Sequence, residues 1–577
     1  MESQENQQET VKKVESRKTL ASRVLSVHFA RRISQGLFLA LFLLLLCKTT
    51  FRGSFSASPE TIESAPWAVD WFLHFDPYIS LITFLSTWKV YKALALSVFV
   101  VLLTIVFGRV FCGWVCPLGT LNQLAGWLRP SRAGRGSRRI DANTASTRRQ
   151  NVKYYVLFAS LGAAMFGSAI GGIFDPISFL IRSVGLSVMP ALQYVDGLFT
   201  EWTSRSSFFP LVLFGDGLHY VFSHFVWQSK QFYYYGGWVF GVLLVAVLFM
   251  NRVVPRFWCR VLCPLGAMLG VLSRFSLVGL QKDKTRCNNC SLCLLHCQGA
   301  SSPQGGSQWL QHECHMCLNC VEKCQTKALE MRFLPSRSDT RVSPDLSKRT
   351  TLASTAAGLA VIPFLRASGS APANFDRNRI RPPGSVDERE FLDRCVRCGA
   401  CMKVCPNNAI HPAMGVGGVE AVWTPIIIPH IGYCEPSCVL CSQVCPTGAI
   451  NRHLEGVGGG SAHAEPVKIG TAFYDHGRCL PWAMQIPCIV CEEFCPTSPK
   501  AIWVEEVEVP FREVRRADEE EAVDTSMKLV KLKRPHVDPS ACLGCGACEK
   551  ACPVVDEPAI RVSSVGEARS KTNVIVL

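Results

Sequence analysis

Twenty-four of the 29 cysteines fall into six groups of four, and this constrains the chain more than any other feature. Cys287, Cys290, Cys293 and Cys297 have the spacing C-x2-C-x2-C-x3-C. So do Cys314, Cys317, Cys320 and Cys324; Cys395, Cys398, Cys401 and Cys405; and Cys542, Cys545, Cys548 and Cys552. Two runs are stretched: Cys434, Cys438, Cys441, Cys445 opens with x3, and Cys479, Cys488, Cys491, Cys495 opens with x8. In bacterial ferredoxins such a run wraps three thiolates around one cubane while the fourth reaches the neighbouring cluster. Zinc sites use separated C-x2-C knuckles, and disulfides need no repeated spacing. The runs are therefore read as ligands of six 4Fe-4S clusters. Cys-Pro closes four of them, at Cys405, Cys445, Cys495 and Cys552, whereas Gln298 and Gln325 follow the first two. Proximity along the chain makes Cys287 to Cys324 one two-cluster unit, with Cys297 completing the second site and Cys324 the first.

Ahead of these runs the chain reads as membrane protein. Charged residues are only 18% of the 577, against about 25% in soluble domains. Fifteen uncharged residues separate Arg32 from Lys48, and 16 more run from Ala93 to Gly108. Tyr154 to Phe174 and Gln231 to Asn251 are each 21 residues without Lys or Arg, enough helix to cross a hydrocarbon core of about 30 Å. For residues 33–47 a cleaved signal peptide is the alternative.

The net charge of +15 belongs to one part of the chain: residues 1–373 hold 38 Lys/Arg and 19 Asp/Glu, residues 374–577 hold 22 and 26. With the N-terminus inside, segments 1–32, 109–153 and 252–349 carry 7, 9 and 14 Lys/Arg, while 48–92 and 154–230 carry 4 and 3. That is a positive-inside pattern. It explains the Arg-rich loop Arg129 to Arg149 by orientation and leaves no basis for nucleic-acid binding.

A fifth apolar stretch, Thr350 to Leu365, follows Ser347-Lys348-Arg349 and precedes Ala371-Pro372-Ala373. It resembles a twin-arginine export signal with Lys in place of the first Arg; a linker helix or fifth crossing is the alternative. The expected fold class is an α-helical membrane bundle of four spans, with a possible fifth, joined to α+β ferredoxin-like domains. Its parts are an N-terminal segment 1–32, a membrane domain 33–275, a two-cluster ferredoxin 276–333, a linker 334–373 and a four-cluster domain 374–577.

Two internal repeats carry the remaining candidates. Cys112-Gly113-Trp114-Val115-Cys116-Pro117-Leu118-Gly119 recurs as Cys259-Arg260-Val261-Leu262-Cys263-Pro264-Leu265-Gly266, each copy after a span. Cysteines four apart share a helix face, so Cys112, Cys116, Cys259 and Cys263 are redox or metal candidates that could converge on one site; the alternative is a pair of chain turns. Phe75-Asp76-Pro77 and Phe174-Asp175-Pro176 place Asp before Pro, which is helix-capping chemistry. A sharper reading makes Asp76 and Asp175 proton acceptors for quinol at the membrane edge. Cys47 reads as an inert core residue. His28, His74, His219 and His224 show no paired spacing for haem. Gly415 to Gly418 and Gly456 to Gly460 lack a phosphate-binding sequence, and no Walker or dinucleotide motif occurs. Neither nucleotide nor haem is expected.

At these residues the resemblance becomes specific. The four spans, both C-x3-C-P copies and the following two-cluster ferredoxin resemble the NapH and MauN family. Residues from about 349 onward, with an export-like leader and four cluster runs, resemble the NapG and MauM family. The resemblance implies electron transfer from membrane quinol to a periplasmic redox partner, such as a reductase or cytochrome, in a nitrate-reductase-type chain at the bacterial inner membrane. It also implies that the outer runs pair with each other, Cys395 with Cys542, and the inner runs likewise, Cys434 with Cys479. Cleavage after Ala373 would regenerate two separate proteins. The alternative function is a redox accessory for maturation of a respiratory metalloenzyme.

Overall fold

The computed structural model describes residues 27–50, 68–128, 140, 143, 147–227, 230–283, 285–301, 310–334, 348–367, 378–436, 438–451, 467–511 and 528–570. The Arg129–Arg139 part of the basic loop, Ala371 to Ala373 and Gly456 to Gly460 lie outside them.

The first half is helical. Val27–Lys48 is a continuous helix of 22 residues. The apolar run after Lys92 becomes a single tight turn, Lys92–Leu96, and then the helix Ser97–Phe107. The stretch expected from Tyr154 to Phe174 is divided: helix Val152–Met165 ends, Gly167 turns the chain at φ +73, and a shorter turn Ala169–Phe174 follows. The stretch from Gln231 is extended before the helix Trp238–Met250. The extended part docks instead on the second ferredoxin region, where Asn408 Nδ2 donates to the Tyr233 carbonyl at 2.7 Å and the Tyr235 N–H to His411 Nδ1 at 3.2 Å.

Two of the described helical stretches, Phe29–Lys48 and Pro176–Ser204, are long and apolar enough to cross a membrane. The second was not expected, nor was its antiparallel partner Phe209–Phe225. Arg182, Asp196, Glu201 and Asp216 interrupt the apolar pattern there. Folding removes the obstacle at Asp196, whose carboxylate is buried and accepts from Trp227 Nε1 at 2.8 Å beside His219 Nδ1, also 2.8 Å away.

Residues 348–367 form one helix, Lys348–Ala367, lying alongside Val152–Met165. Backbones touch at Gly358, where any Cβ would meet the Ala159 carbonyl oxygen at 2.0 Å. Small residues at such a contact let helices approach closely enough for dispersion to hold them. The two helices run the same way, Tyr155 and Thr350 hydrogen-bonding at their starts, so residues 348–367 link one ferredoxin region to the other along the helical core.

Both ferredoxin regions are α+β, with very short helices and two-stranded antiparallel sheets. In the first, Val278–Lys282 pairs with Leu329–Phe333 around the two cysteine runs. In the second, Ile410–Pro412 pairs with Pro425–Ile427, Thr471–Tyr474 with Ile560–Ser563, and Ile502–Phe511 with Lys528–Val537.

The two regions sit at opposite ends of the same helices. At the start of Val152–Met165, Lys153 and Tyr154 bond Glu313 of the first region. Past its end, Gly167 lies against the Asp393 carboxylate of the second. Ser97–Phe107 repeats the pattern: Tyr91 before it lies under Arg394, and near its end the Ile105 carbonyl accepts from Leu277 N–H. Fourteen residues at 1.5 Å rise put the two docking ends about 20 Å apart.

Candidate metal centres and the residues between them

In the second ferredoxin region the cysteines line cavities, and the lining assigns partners. Cys395, Cys398 and Cys401 share a cavity with Cys445. Cys495 lines another with Cys542, Cys545 and Cys548. Cys552 lines a third with Cys479, Cys488 and Cys491. Cys405 faces Cys434, Cys438 and Cys441 closely enough for charge on one to act on the others. Consecutive runs therefore pair, Cys395 with Cys434 and Cys479 with Cys542, which corrects the outer-with-outer and inner-with-inner pairing implied by resemblance. The cause is local. The short helices Ala400–Val404 and Leu440–Gln443 pack together, as do Val490–Glu493 and Ala547–Ala551. Each pair swings its fourth cysteine into the neighbour's cavity.

The four sites follow one another. Cys405 joins the first to the second, and Cys434 N–H donates to the Cys545 carbonyl at 2.8 Å, joining the second to the third. Cys491 lies within electrostatic reach of Cys548, joining the third to the fourth.

In the first ferredoxin region Cys320 lies within electrostatic reach of Cys314, Cys317 and Cys297, the arrangement expected of Cys297. Cys293 and Cys324 pack on the same small core.

The donor sets suit a cluster better than an ion. Among the described residues no group of three or more His, Cys, Asp or Glu closes tightly enough to hold a single metal ion, and none of the cysteines is in a disulfide. Backbone N–H groups point at the fourth sulfurs, as at Ser301 N to Cys297 Sγ and Ala409 N to Cys405 Sγ, both 3.3 Å. Such bonds tune cluster potentials. Burial pushes the thiols of Cys398, Cys438 and Cys545 up to about 12, so metal loading must release protons.

Between the two regions lie both internal repeats. Each C-x3-C-P copy forms a wide turn, Phe111–Val115 and Trp258–Leu262, that ends at Cys116 or Cys263 in extended backbone before Pro. This differs from the regular helix face expected, because Pro117 and Pro264 start new helices and lack the N–H to continue the old ones. Wide turns of this kind cluster at functional sites. Every pair among Cys112, Cys116, Cys259 and Cys263 is within electrostatic reach, so the four thiols do converge.

The Asp-Pro repeat converges as well. Asp76 Oδ1 accepts from Tyr78 and Ile79 N–H at 2.8 and 3.2 Å, and Asp175 Oδ2 from Ser178 N–H at 2.6 Å, so both are helix caps. Both are fully buried, and the two carboxyls face each other. Among the described residues neither Asp76 Oδ2 nor Asp175 Oδ1 receives an N–H donor, and the two side chains are close enough to share a hydrogen bond. Tyr78, whose hydroxyl donates to Ser160 Oγ at 2.9 Å, is within electrostatic reach of both carboxyls and of Cys263. On the other side Arg182, missed by sequence reasoning, is within reach of Asp175, Cys395 and Cys398 and bonds the Arg397 carbonyl. Its only signal in the sequence is a charge inside an apolar run.

Residues 91–136 and 236–282, which hold the two C-x3-C-P copies, match a family described as 4Fe-4S binding domain. Residues 391–411 and 534–557 match two further families of the same description. The chain is 31% identical to the ferredoxin-type protein NapG of Escherichia coli over 222 residues, 38% of this chain and 84% of that protein. It is 30% identical to the methylamine utilization ferredoxin-type protein MauM of Methylorubrum extorquens over 36% of this chain and 80% of that protein. Identity to the ferredoxin-type protein NapH of Escherichia coli is 26%, over 45% of this chain and 80% of that protein. No solved structure matches the chain. The chain belongs to the NapG and MauM family of ferredoxin-type iron-sulfur electron-transfer proteins, joined in one polypeptide to a NapH-like part.

Proposed function

We propose that the protein is a multi-pass inner-membrane electron carrier that oxidises quinol and delivers electrons to a periplasmic redox partner, with the 24 cysteines of the six runs holding six 4Fe-4S clusters. The observation that carries this reading is Arg182, which bonds the carbonyl of Arg397 in the lining of the Cys395–Cys398 cavity and lies within reach of Asp175, whose carboxyl faces Asp76. A bound 4Fe-4S cluster supplies one-electron chemistry without bond making. The residues supply placement and protons.

Two facing carboxyls, each with one oxygen free of N–H donors, are suited to hold a single proton between them, as quinol oxidation requires beside apolar surroundings. Arg182 offsets negative charge at both the carboxyl pair and the first cysteines. The helices between the ferredoxin regions expose apolar side chains such as Phe99, Leu102, Leu213, Phe214 and Val245, which favours lipid contact and a bundle of several spans. Exposed Phe494 and Val555 near the last cavity offer a face for the redox partner.

The test is addition of a quinol analogue to anaerobic membranes, followed by cluster reduction in visible and EPR spectra. Reduction is expected in the wild type, with a rate at least tenfold lower in D76N/D175N. Clusters that dithionite reduces but quinol does not would overturn the reading.

A further inference from the structure

We propose that the eight residues between Cys479 and Cys488, with the segment after Cys552, form the docking face at which a small basic electron-transfer protein takes electrons from the fourth site. The inference deepens the electron-transfer reading by naming the partner's chemistry, and rests on that reading for the direction of electron flow.

Ligation does not account for the insert. Four runs place two residues between their first two cysteines and one places three, whereas the run from Cys479 places eight. The extra residues form the short helix Leu480–Ala483 and a loop that folds back on it. The N–H groups of Met484 and Ile486 both donate to the Leu480 carbonyl at 3.1 Å, and Gln485 between them holds φ +56. Left-handed backbone at a residue other than glycine persists only where its surroundings hold it. Trp482 supplies the hold. Its Nε1 donates to the Pro535 carbonyl at 3.2 Å, its ring lies 4.2 Å from that of His476 and 5.3 Å from that of His536, and the Arg534 guanidinium covers it at 4.8 Å. The loop is thus fixed before a partner arrives, and little ordering entropy opposes docking.

The fixed loop displays apolar side chains at the edge of a redox site. Met484 and Ile486 keep 57 and 45% exposure, and Val555 keeps 93%. Leu480, Pro481 and Cys488 line the fourth cavity from the insert, and Cys552, Pro553 and Val554 line it from the other segment. Cys488 and Cys552 are half-buried, whereas Cys395, Cys398, Cys401 and Cys405 of the first run are buried. The last of the four sites is therefore the one that an external acceptor approaches most closely, across a patch of the kind that marks contact with another molecule.

Charge defines the partner. Asp475, Glu492, Glu493, Asp556 and Glu557 stand in or beside these segments. The nearby bases are engaged within the molecule: Arg478 lies 3.2 Å from Glu557 and 3.6 Å from Asp475, Arg561 pairs with Glu557, Lys500 pairs with Glu492, and Arg534 covers Trp482. Glu493 and Asp556 are exposed and have no ion pair among the described residues. The charge left for a partner is negative, in keeping with the 22 Lys/Arg and 26 Asp/Glu of residues 374–577. The complement is a redox protein with Lys or Arg around an apolar cofactor edge. One electron passes from the fourth site to that cofactor, the site being oxidised and the partner reduced, with no bond or proton moved. Encounters of this class bury less than about 1,200 Å², and charge steers the approach.

The probe is a small c-type cytochrome whose haem edge is ringed by lysines, mixed with full-length protein purified anaerobically in detergent. Affinity is read by calorimetry with both proteins oxidised, and cytochrome reduction by stopped flow after the clusters are reduced. Binding is expected, weakening about tenfold as ionic strength rises from about 20 mM to about 200 mM, and an acidic flavodoxin should not bind. M484S/I486S and E493Q/D556N should each lower affinity and slow cytochrome reduction by about tenfold, with iron content and EPR spectra unchanged. L529A, at an exposed side chain of the strand Lys528–Val537, should change neither. Binding that ignores salt, equal binding of flavodoxin, or unchanged affinity in either double variant would overturn the proposal. Quinol that fails to reduce the clusters while cytochrome binding keeps this salt and variant dependence would overturn the electron-donor reading and leave the docking face standing.

Discussion

Among single residues, Glu388 shows how charge is kept inside the second ferredoxin region. Burial opposes its ionisation, yet Arg381, Arg569 and Arg379 outweigh burial and hold the carboxyl at about 2, below its ordinary 4.5. Arg381 Nη2 and Nε lie 2.6 and 3.1 Å from the carboxylate, and Arg569 Nη1 2.8 Å away. Arg569 ties the end of this region to its beginning. A carboxyl held low contributes stability that is complete above its unfolded value and lost as pH falls from about 4.5 toward 2. The loss amounts to about 3 kcal/mol at 1.36 kcal/mol per unit. Thermal melts of full-length anaerobic protein should show that decline, and E388Q should abolish it while lowering stability by about 3 kcal/mol at neutral pH. Glu388 carries no motif that a sequence reader would single out, because its three partners come from both ends of the region. The cysteines of the six runs are legible, because the spacing sets three sulfurs for one cubane and leaves the fourth for its neighbour.

Among elements, pairing of the cysteine runs distinguishes local folding from analogy. Because Cys445 lines the Cys395–Cys398–Cys401 cavity, C398S and C445S should remove the same EPR species, each with loss of about four irons. Pairing of outer runs predicts instead that C398S and C552S share a loss, so the spectra separate the two arrangements. The link helix Lys348–Ala367 is a second element whose packing decides its role. Its sequence resembles an export signal, with a linker or a crossing as the alternatives. Contact through Gly358 and Ala159 makes it part of the helical core. G358L forces a side chain into a backbone oxygen, and the expected cost is about 1–3 kcal/mol. L352A, at a side chain 70% exposed, should leave the melt unchanged.

For the molecule as a whole, the two ferredoxin regions occupy opposite ends of shared helices, and Tyr78, the carboxyl pair and Arg182 lie between them. The proposed membrane reading then predicts opposite sidedness. Protease added to spheroplasts should degrade residues 378–570 and spare residues 285–334, with the reverse in inverted vesicles. The sequence by itself determined the cysteine runs, the helical and ferredoxin halves and both repeats, because these depend on spacing, hydropathy and charge over short stretches. Only tertiary structure decided which runs pair, that both repeats converge, and that Arg182 flanks one of them. Those depend on contacts between residues far apart in the chain, which no local pattern encodes.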